Sequence, residues 1–248
     1  MIDLHCHLLP GIDDGPATMD ESLQLAKMAW ENGITHAVLT PHIIPGRYDN
    51  TLQSISVACK RFREELLRNN IALGIAFAAE IRLDPVIMNM VSTQSVPFLG
   101  KDADYDLLLL EFPHNFIPPG SLDLVKWMLK RNIKPVIAHP ERNQAVLARY
   151  TVLQPFLDAG CLLQITAGSL TGVFGKEPEK LARKILKRGW VSLIASDAHN
   201  LHKRRPDIEP GRQVAEKIVG GTESRAMVHD RPANFTRGMF GNDNPEYT

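Results

Sequence analysis

Short apolar runs alternate along this chain with longer stretches of helical spacing. Residues 2–6, 35–40, 72–79, 107–110, 135–138, 161–165 and 191–195 are apolar, and polar, Gly or Pro positions bound most of them, as expected of buried strands. Between them, Thr18-Met-Asp-Glu21 reads as a capping box opening a helix that stops at Asn32-Gly33, with Leu23, Ala26, Met28 and Trp30 as its apolar content. Further helices are expected at 51–69 (Leu52, Ile55, Phe62 and Leu66 at suitable spacing), 85–91, 122–131, 152–158 ended by Gly160, and 179–188 ended by Gly189. Seven buried strands alternating with helices predict an α/β fold with a parallel sheet. Closure is expected into a single-domain distorted TIM-like barrel of about seven βα units over residues 1–238, with 239–248 as a loose polar tail.

Length and charge narrow the function classes. At 248 residues the chain matches one barrel, which takes about 250. Lys plus Arg and Asp plus Glu number 28 each, so the overall field draws in neither nucleic acid nor membrane, and any anion preference must come from local cations. The N-terminus lacks the basic and apolar stretches of a signal peptide, and no apolar run is long enough for a membrane span, which implies a cytoplasmic protein. Cys6, Cys59 and Cys161 form no C-x-x-C pair and read as reduced, buried thiols.

Candidate chemistry collects at the C-terminal ends of the strands, where parallel barrels carry their active sites. His5 and His7 end the first strand on one face, and Asp13 and Asp14 follow in a Gly-bounded loop. His42, Glu80, Glu111 and His139 follow the next strands in turn, and Asp197 with His199 follow the seventh; the sixth ends in Thr166-Ala-Gly and leaves the ring incomplete. A single strand-end histidine is usually a core residue. This many carboxylates in one cleft, however, require compensating cations, and a polynuclear metal site follows. Mixed N/O ligation without thiolate suits Mn, Fe or Zn.

The combination H-C-H-L-L-P-G-I-D-D-G-P, T-P-H, A-E, L-L-L-E-F, A-H-P-E-R and S-D-A-H-N resembles the polymerase-and-histidinol-phosphatase (PHP) superfamily over essentially the whole chain. It most resembles the bacterial manganese-dependent protein-tyrosine phosphatases of capsule and exopolysaccharide gene clusters. Histidinol-phosphate phosphatases of that superfamily usually carry a histidine where Asp14 stands. The resemblance implies three divalent metal ions, with Mn2+ preferred. One is expected on His5, His7, Asp197 and a bridging Glu80, a second on Glu80, Glu111 and His139, and a third on Asp14, His42 and His199. It also implies phosphate binding by Arg142 and by an arginine after S-D-A-H-N, with Arg204 favoured and Arg205 in reserve. Cys6, on the opposite face from His5 and His7, is expected to pack in the core.

The implied reaction is hydrolysis of phosphotyrosine on a protein, such as the tail of a bacterial tyrosine kinase, by a metal-activated hydroxide. Asp14 or His199 is the candidate proton donor to the leaving oxygen. A thiol mechanism is absent, because the residues six after the three cysteines are Ile12, Glu65 and Ala167, none of them arginine. Alternative readings are a small-molecule phosphatase of the same superfamily, a metal-dependent amidohydrolase, and a non-catalytic phosphotyrosine-binding regulator.

Overall fold

A computed structural model describes residues 1–240. Its first half runs β1 (Ile2–Cys6), α1 (Met19–Glu31), β2 (His36–Leu39), β3 (His42–Ile43), α2 (Leu52–Arg68), β4 (Gly74–Phe77), β5 (Glu80–Arg82), α3 (Val86–Ser92), β6 (Gly100–Asp102) and β7 (Tyr105–Glu111). There follow α4 (Ser121–Leu129), β8 (Ile133–Ala138), α5 (Gln144–Ala148), α6 (Gln154–Ala159), β9 (Leu162–Thr166), α7 (Ala167–Leu170), α8 (Lys176–Lys187) and β10 (Leu193–Ala195). The described chain ends in α9 (Glu209–Val219), α10 (Gly221–Arg225) and α11 (Arg231–Phe235). No element is expected from the sequence beyond 195, although Val214, Ala215, Ile218 and Val219 stand at helical spacing and pack α9 on the core. Of the expected tail, residues 241–248 lie outside the described residues.

Two of the seven expected strands divide. Pro41 has no N–H to continue a ladder, so the run at 35–40 ends as β2 and a second piece, β3, begins just past it; likewise the run at 72–79 holds β4, and β5 begins just past it at Glu80. β1, β2 and β4 form one parallel sheet, and β10, β9, β8, β7, β5 and β3 form another, with β6 antiparallel to β7. The divided strands join the two sheets, so the ring keeps seven positions: β1, β2/β3, β4/β5, β7, β8, β9 and β10. It closes between β10 and β1 through two backbone bonds, His7 N–H to Ala198 O and Asp197 N–H to His5 O, each 2.8 Å, and through buried Asp3, which accepts from Ser196 N–H at 3.0 Å and from Ser196 Oγ.

Packing follows the period of two. On β7, Leu108 and Leu110 join the large cluster shared with the helices, whereas Leu107 and Leu109 join a smaller cluster of strand residues that fills the barrel and is closed by Leu99 and Phe235. Register between β1 and β2 shifts between Asp3 and Cys6. Leu4 thus faces the barrel interior while Cys6 packs toward the helices. The Thr18 box forms as expected, with Thr18 Oγ1 and Glu21 Oε2 each accepting the other's backbone N–H at 3.3 Å. The buried face of α1 is nevertheless Ser22, Leu25, Ala26 and Ala29, a regular helical stripe, and Trp30 is 43% exposed.

Candidate metal and phosphate site

All nine candidate ligands meet at the C-terminal mouth of the ring. His7, Asp14, His42 and His199 form one potential ligand group; His5, His7 and Glu80 a second; His5, His139 and Asp197 a third; and His42, Glu80 and Glu111 a fourth. Glu80 is central. Its Oε1 lies 2.7 Å from His139 Nε2, and its Oε2 lies 3.3, 3.4 and 2.9 Å from His5 Nε2, His7 Nε2 and His42 Nδ1. Asp14 Oδ1 lies 3.3 Å from both His42 Nε2 and His199 Nε2. Glu111 is grouped with His42 and Glu80, and His139 with His5 and Asp197; His139 also lies 2.7 Å from Glu80, so Glu80 stands between Glu111 and His139. The split of β2 from β3 swings His42 toward Glu80 and Glu111, giving it access to two groups.

Several of these atoms are buried without a hydrogen-bond partner: His42 Nδ1, Glu80 Oε2, Asp197 Oδ1 and His199 Nε2. Such orphaned atoms carry a desolvation cost that a cation would remove. Hard carboxylate and imidazole donors facing one another without thiolate fit divalent metals.

Charge is distributed accordingly. Burial opposes the charge on His5 and His42, but Glu80 overrides it with Asp197 at His5 and with Asp14 at His42, and the pair are pushed up to about 9 and about 11. Burial and neighbouring positive groups push His139 down to about 3 and His199 to about 4. Burial also opposes the charge on Asp197, yet Arg142, Arg204 and His5 hold its carboxyl well below the usual range. Glu111 is raised, first by burial and then by Glu80.

Two arginines meet on one carboxylate oxygen. Arg142 Nη2 and Arg204 Nη2 lie 2.7 and 2.6 Å from Asp197 Oδ2, leaving the remaining guanidinium donors beside the ligand cluster. Arg205 is exposed, and Arg204 lines the cavity of about 700 Å³ over the site. His139 and Asp197 both take left-handed backbone conformations, with φ of +31° and +52°. Such strain is held where surrounding contacts over-determine it. At His139, the buried Glu141 supplies such contacts: its Oε1 accepts from Thr166 N–H at 3.0 Å and Ser169 Oγ at 2.7 Å. The sixth strand end therefore anchors the His139–Arg142 turn and supplies no ligand.

The sequence reading left several supporting residues without a role. Asp13 accepts from His7 Nδ1, Gln164 Oε1 lies 2.8 Å from His5 Nδ1, and Arg82 Nε donates to Glu111 Oε2 at 2.7 Å. Gln164 is a lone amide inside an apolar run, and Arg82 stands two after Glu80, on its face of β5; both signals were present. Gly15 is required where the loop returns, since a Cβ there would lie 2.4 Å from His7 O. The three cysteines are buried and free. No helix among the described residues is long and apolar enough to cross a membrane.

A family model described as "Capsular polysaccharide synthesis, CpsB/CapC" matches residues 1–237. The chain is 31% identical over 220 residues to tyrosine-protein phosphatase YwqE of Bacillus subtilis (strain 168), covering 89% of this chain and 85% of that one. It is 28% identical over 239 residues to tyrosine-protein phosphatase CpsB of Streptococcus pneumoniae, covering 94% and 96%. A crystal structure from the pair YwqE and CpsB, described as unique metal-dependent tyrosine phosphatases, superposes with a TM-score of 0.89 at 29% identity, covering 96% of this chain and 95% of that one. A histidinol phosphate phosphatase from Lactococcus lactis shares the fold, with a TM-score of 0.55 at 14% identity over 89% of this chain and 94% of that one.

Proposed function

The chain belongs to the CpsB/CapC family of capsular polysaccharide synthesis, and from that premise we propose that it is a metal-dependent phosphatase that hydrolyses phosphotyrosine on proteins. The observation that carries the reading is the convergence of Arg142 and Arg204 on Asp197 Oδ2, beside a ligand cluster with orphaned buried donors. A guanidinium can take phosphoryl oxygens in pairs, which supports this reading of Arg142 and Arg204. Bound divalent cations would lower the pKa of water and neutralise phosphoryl charge. A phenolic leaving group has a pKa of about 10, so it needs little protonation; this suits a site whose candidate donors, Asp14 and His199, are both held below their ordinary values.

The finer reading assigns three ions. His5, His7, Asp197 and Glu80 take one; Glu80, Glu111 and His139 take the second; Asp14, His42 and His199 take the third. Manganese is the preferred metal on the family resemblance; the mixed N/O donors suit iron or zinc as well. The substrate is a phosphotyrosine segment of a cytoplasmic partner, of which a bacterial tyrosine kinase tail is the leading candidate.

One assay tests this reading against its rivals. Purified protein, with and without manganese, is given phosphotyrosine peptides, histidinol phosphate and a cyclic amide. Metal-dependent turnover of the peptides alone is expected, abolished by chelation. Thiol alkylation is expected to have little effect, because burial pushes Cys59 and Cys161 up to about 11 and about 12 and raises Cys6 well above the usual thiol range. Full activity in excess chelator, with no bound metal, refutes the proposal.

A further inference from the structure

The polar floor of the site cannot tell one phosphate monoester from another. Its ligands and arginines address phosphoryl oxygens, which phosphotyrosine and phosphoserine share. Discrimination has to come from the walls. Three phenyl-type rings line the cavity: Phe112 is buried and packed on Phe156, 5.2 Å between centroids, whereas Tyr48 after β3 and Phe174 between α7 and α8 stand on separate loops and are only partly buried.

Each loop ring adjoins a residue of the floor. The Tyr48 ring lies nearly parallel to the His42 imidazole, with centroids 5.7 Å apart and an interplanar angle of 9°. The Phe174 ring lies 4.6 Å from the Arg142 guanidinium carbon. Both loops are pinned. Ile44 and Tyr48 exchange backbone bonds of 3.0 and 2.9 Å, and Asn50 Nδ2 ties the turn to Ile12 O and His42 O. Val173 N–H donates to Gly168 O at 2.9 Å, and Gly168 leaves room for the ring, since a Cβ there would lie 3.2 Å from Phe174 Cε2. Both side chains are only partly buried, so each keeps uncovered surface.

We infer that Tyr48 and Phe174 are the specificity-determining walls of this site, clasping the aryl ring of a phosphate ester and so selecting aryl over alkyl esters. The inference rests on the phosphatase reading of the same site. Leu147 and Pro178 extend the apolar lining. The floor is deep, with Glu80 and Asp197 fully buried. A tyrosine side chain carries its phosphate down to that floor with the ring between the walls. A serine ester reaches it only by drawing peptide backbone into the same space, away from water.

The test uses the manganese-loaded protein and two phosphonates with the same head group, phenylphosphonate and methylphosphonate, as competitive inhibitors of phosphotyrosine-peptide hydrolysis. Wild type is expected to bind the phenyl compound more tightly. Phe174→Leu and Tyr48→Leu, which keep apolar bulk, should each shrink the ratio of the two inhibition constants about three- to tenfold, the scale of one lost aromatic contact. Phe174→Tyr should retain it. Metal content, read on the same preparations, should stay at the wild-type level. Ratios unchanged in both leucine variants overturn the inference and leave the rings as props for His42 and Arg142. Absence of peptide turnover in wild type instead removes the phosphatase reading on which it rests.

Discussion

Asp13 and His7 are joined by a 2.6 Å hydrogen bond from the imidazole Nδ1 to carboxylate Oδ2, which leaves Nε2 facing the ligand cluster. A carboxylate behind a metal-binding histidine fixes its tautomer and raises its basicity. Asp13→Ala is therefore expected to weaken metal affinity about 10- to 100-fold. Metal titration of the purified variant checks this; wild-type affinity would reduce Asp13 to a brace for the loop at Gly15.

Glu80→Gln should be the most damaging single ligand change. Both oxygens of Glu80 face candidate ligands, and burial, which raises its pKa, is outweighed by His5, His42 and His139, so its charge is held well below the usual range. The amide keeps the shape but loses the charge that screens neighbouring cations from each other. Metal analysis is expected to show more than one ion lost per chain. Loss of a single ion would mean that Glu80 serves one ion only.

Arg142→Lys separates a clamp from a field effect. Lysine keeps the charge and gives up the planar fork. A fork that tightens in the transition state lowers kcat and kcat/KM together, whereas a field effect shifts KM alone and most at low salt. The first pattern is expected, with metal content unchanged, and Arg204→Lys should behave likewise. Arg205→Ala, at an exposed position, should leave the kinetics near wild type.

Metal uptake should release protons and strengthen as pH rises. His5 and His42, raised to about 9 and about 11 in the metal-free protein, are protonated at neutral pH, and a cation must displace those protons. The sign reverses for the metal-free fold. Both pKa values exceed the unfolded value of about 6.5, so their stabilisation is complete below that pH and is lost as pH climbs through 9 and 11. Calorimetry in buffers of different ionisation enthalpy measures the released protons; buffer-independent heats would contradict the assignment.

The candidate site was more legible than the fold around it, for a physical reason. His5, Glu80, Glu111, His139 and Asp197 are polar residues abutting apolar runs, and a parallel barrel gathers strand ends whatever the loop details. Pro41 announces a ladder break, but the sequence does not say that the chain resumes as a second strand that swings His42 toward Glu111. Leu4 faces inward because of a register shift that strict alternation would not allow. Tyr48 and Phe174 were silent because loop rings acquire meaning only from what lies opposite. Of the helices after residue 208, α10 and α11 bury few apolar positions and show no stripe, whereas α9 carries one at Val214, Ala215, Ile218 and Val219 that the sequence reading passed over.

The narrow closure between β1 and β10 gives the metals a mechanical task. His5 and His7 stand on one side of that closure and Asp197 and His199 on the other, joined by short backbone pairing and by buried Asp3, which accepts from Ser196 N–H and Oγ. A cation shared by His5, His7 and Asp197 would act as a rivet between β1 and β10. Its removal should let the barrel breathe at that edge before it loosens elsewhere. Amide exchange at His7 and Asp197 would then quicken on chelation, while the Leu107–Leu110 run, paired on both sides, stays protected. The protein's thermal endurance would thus track its metal supply.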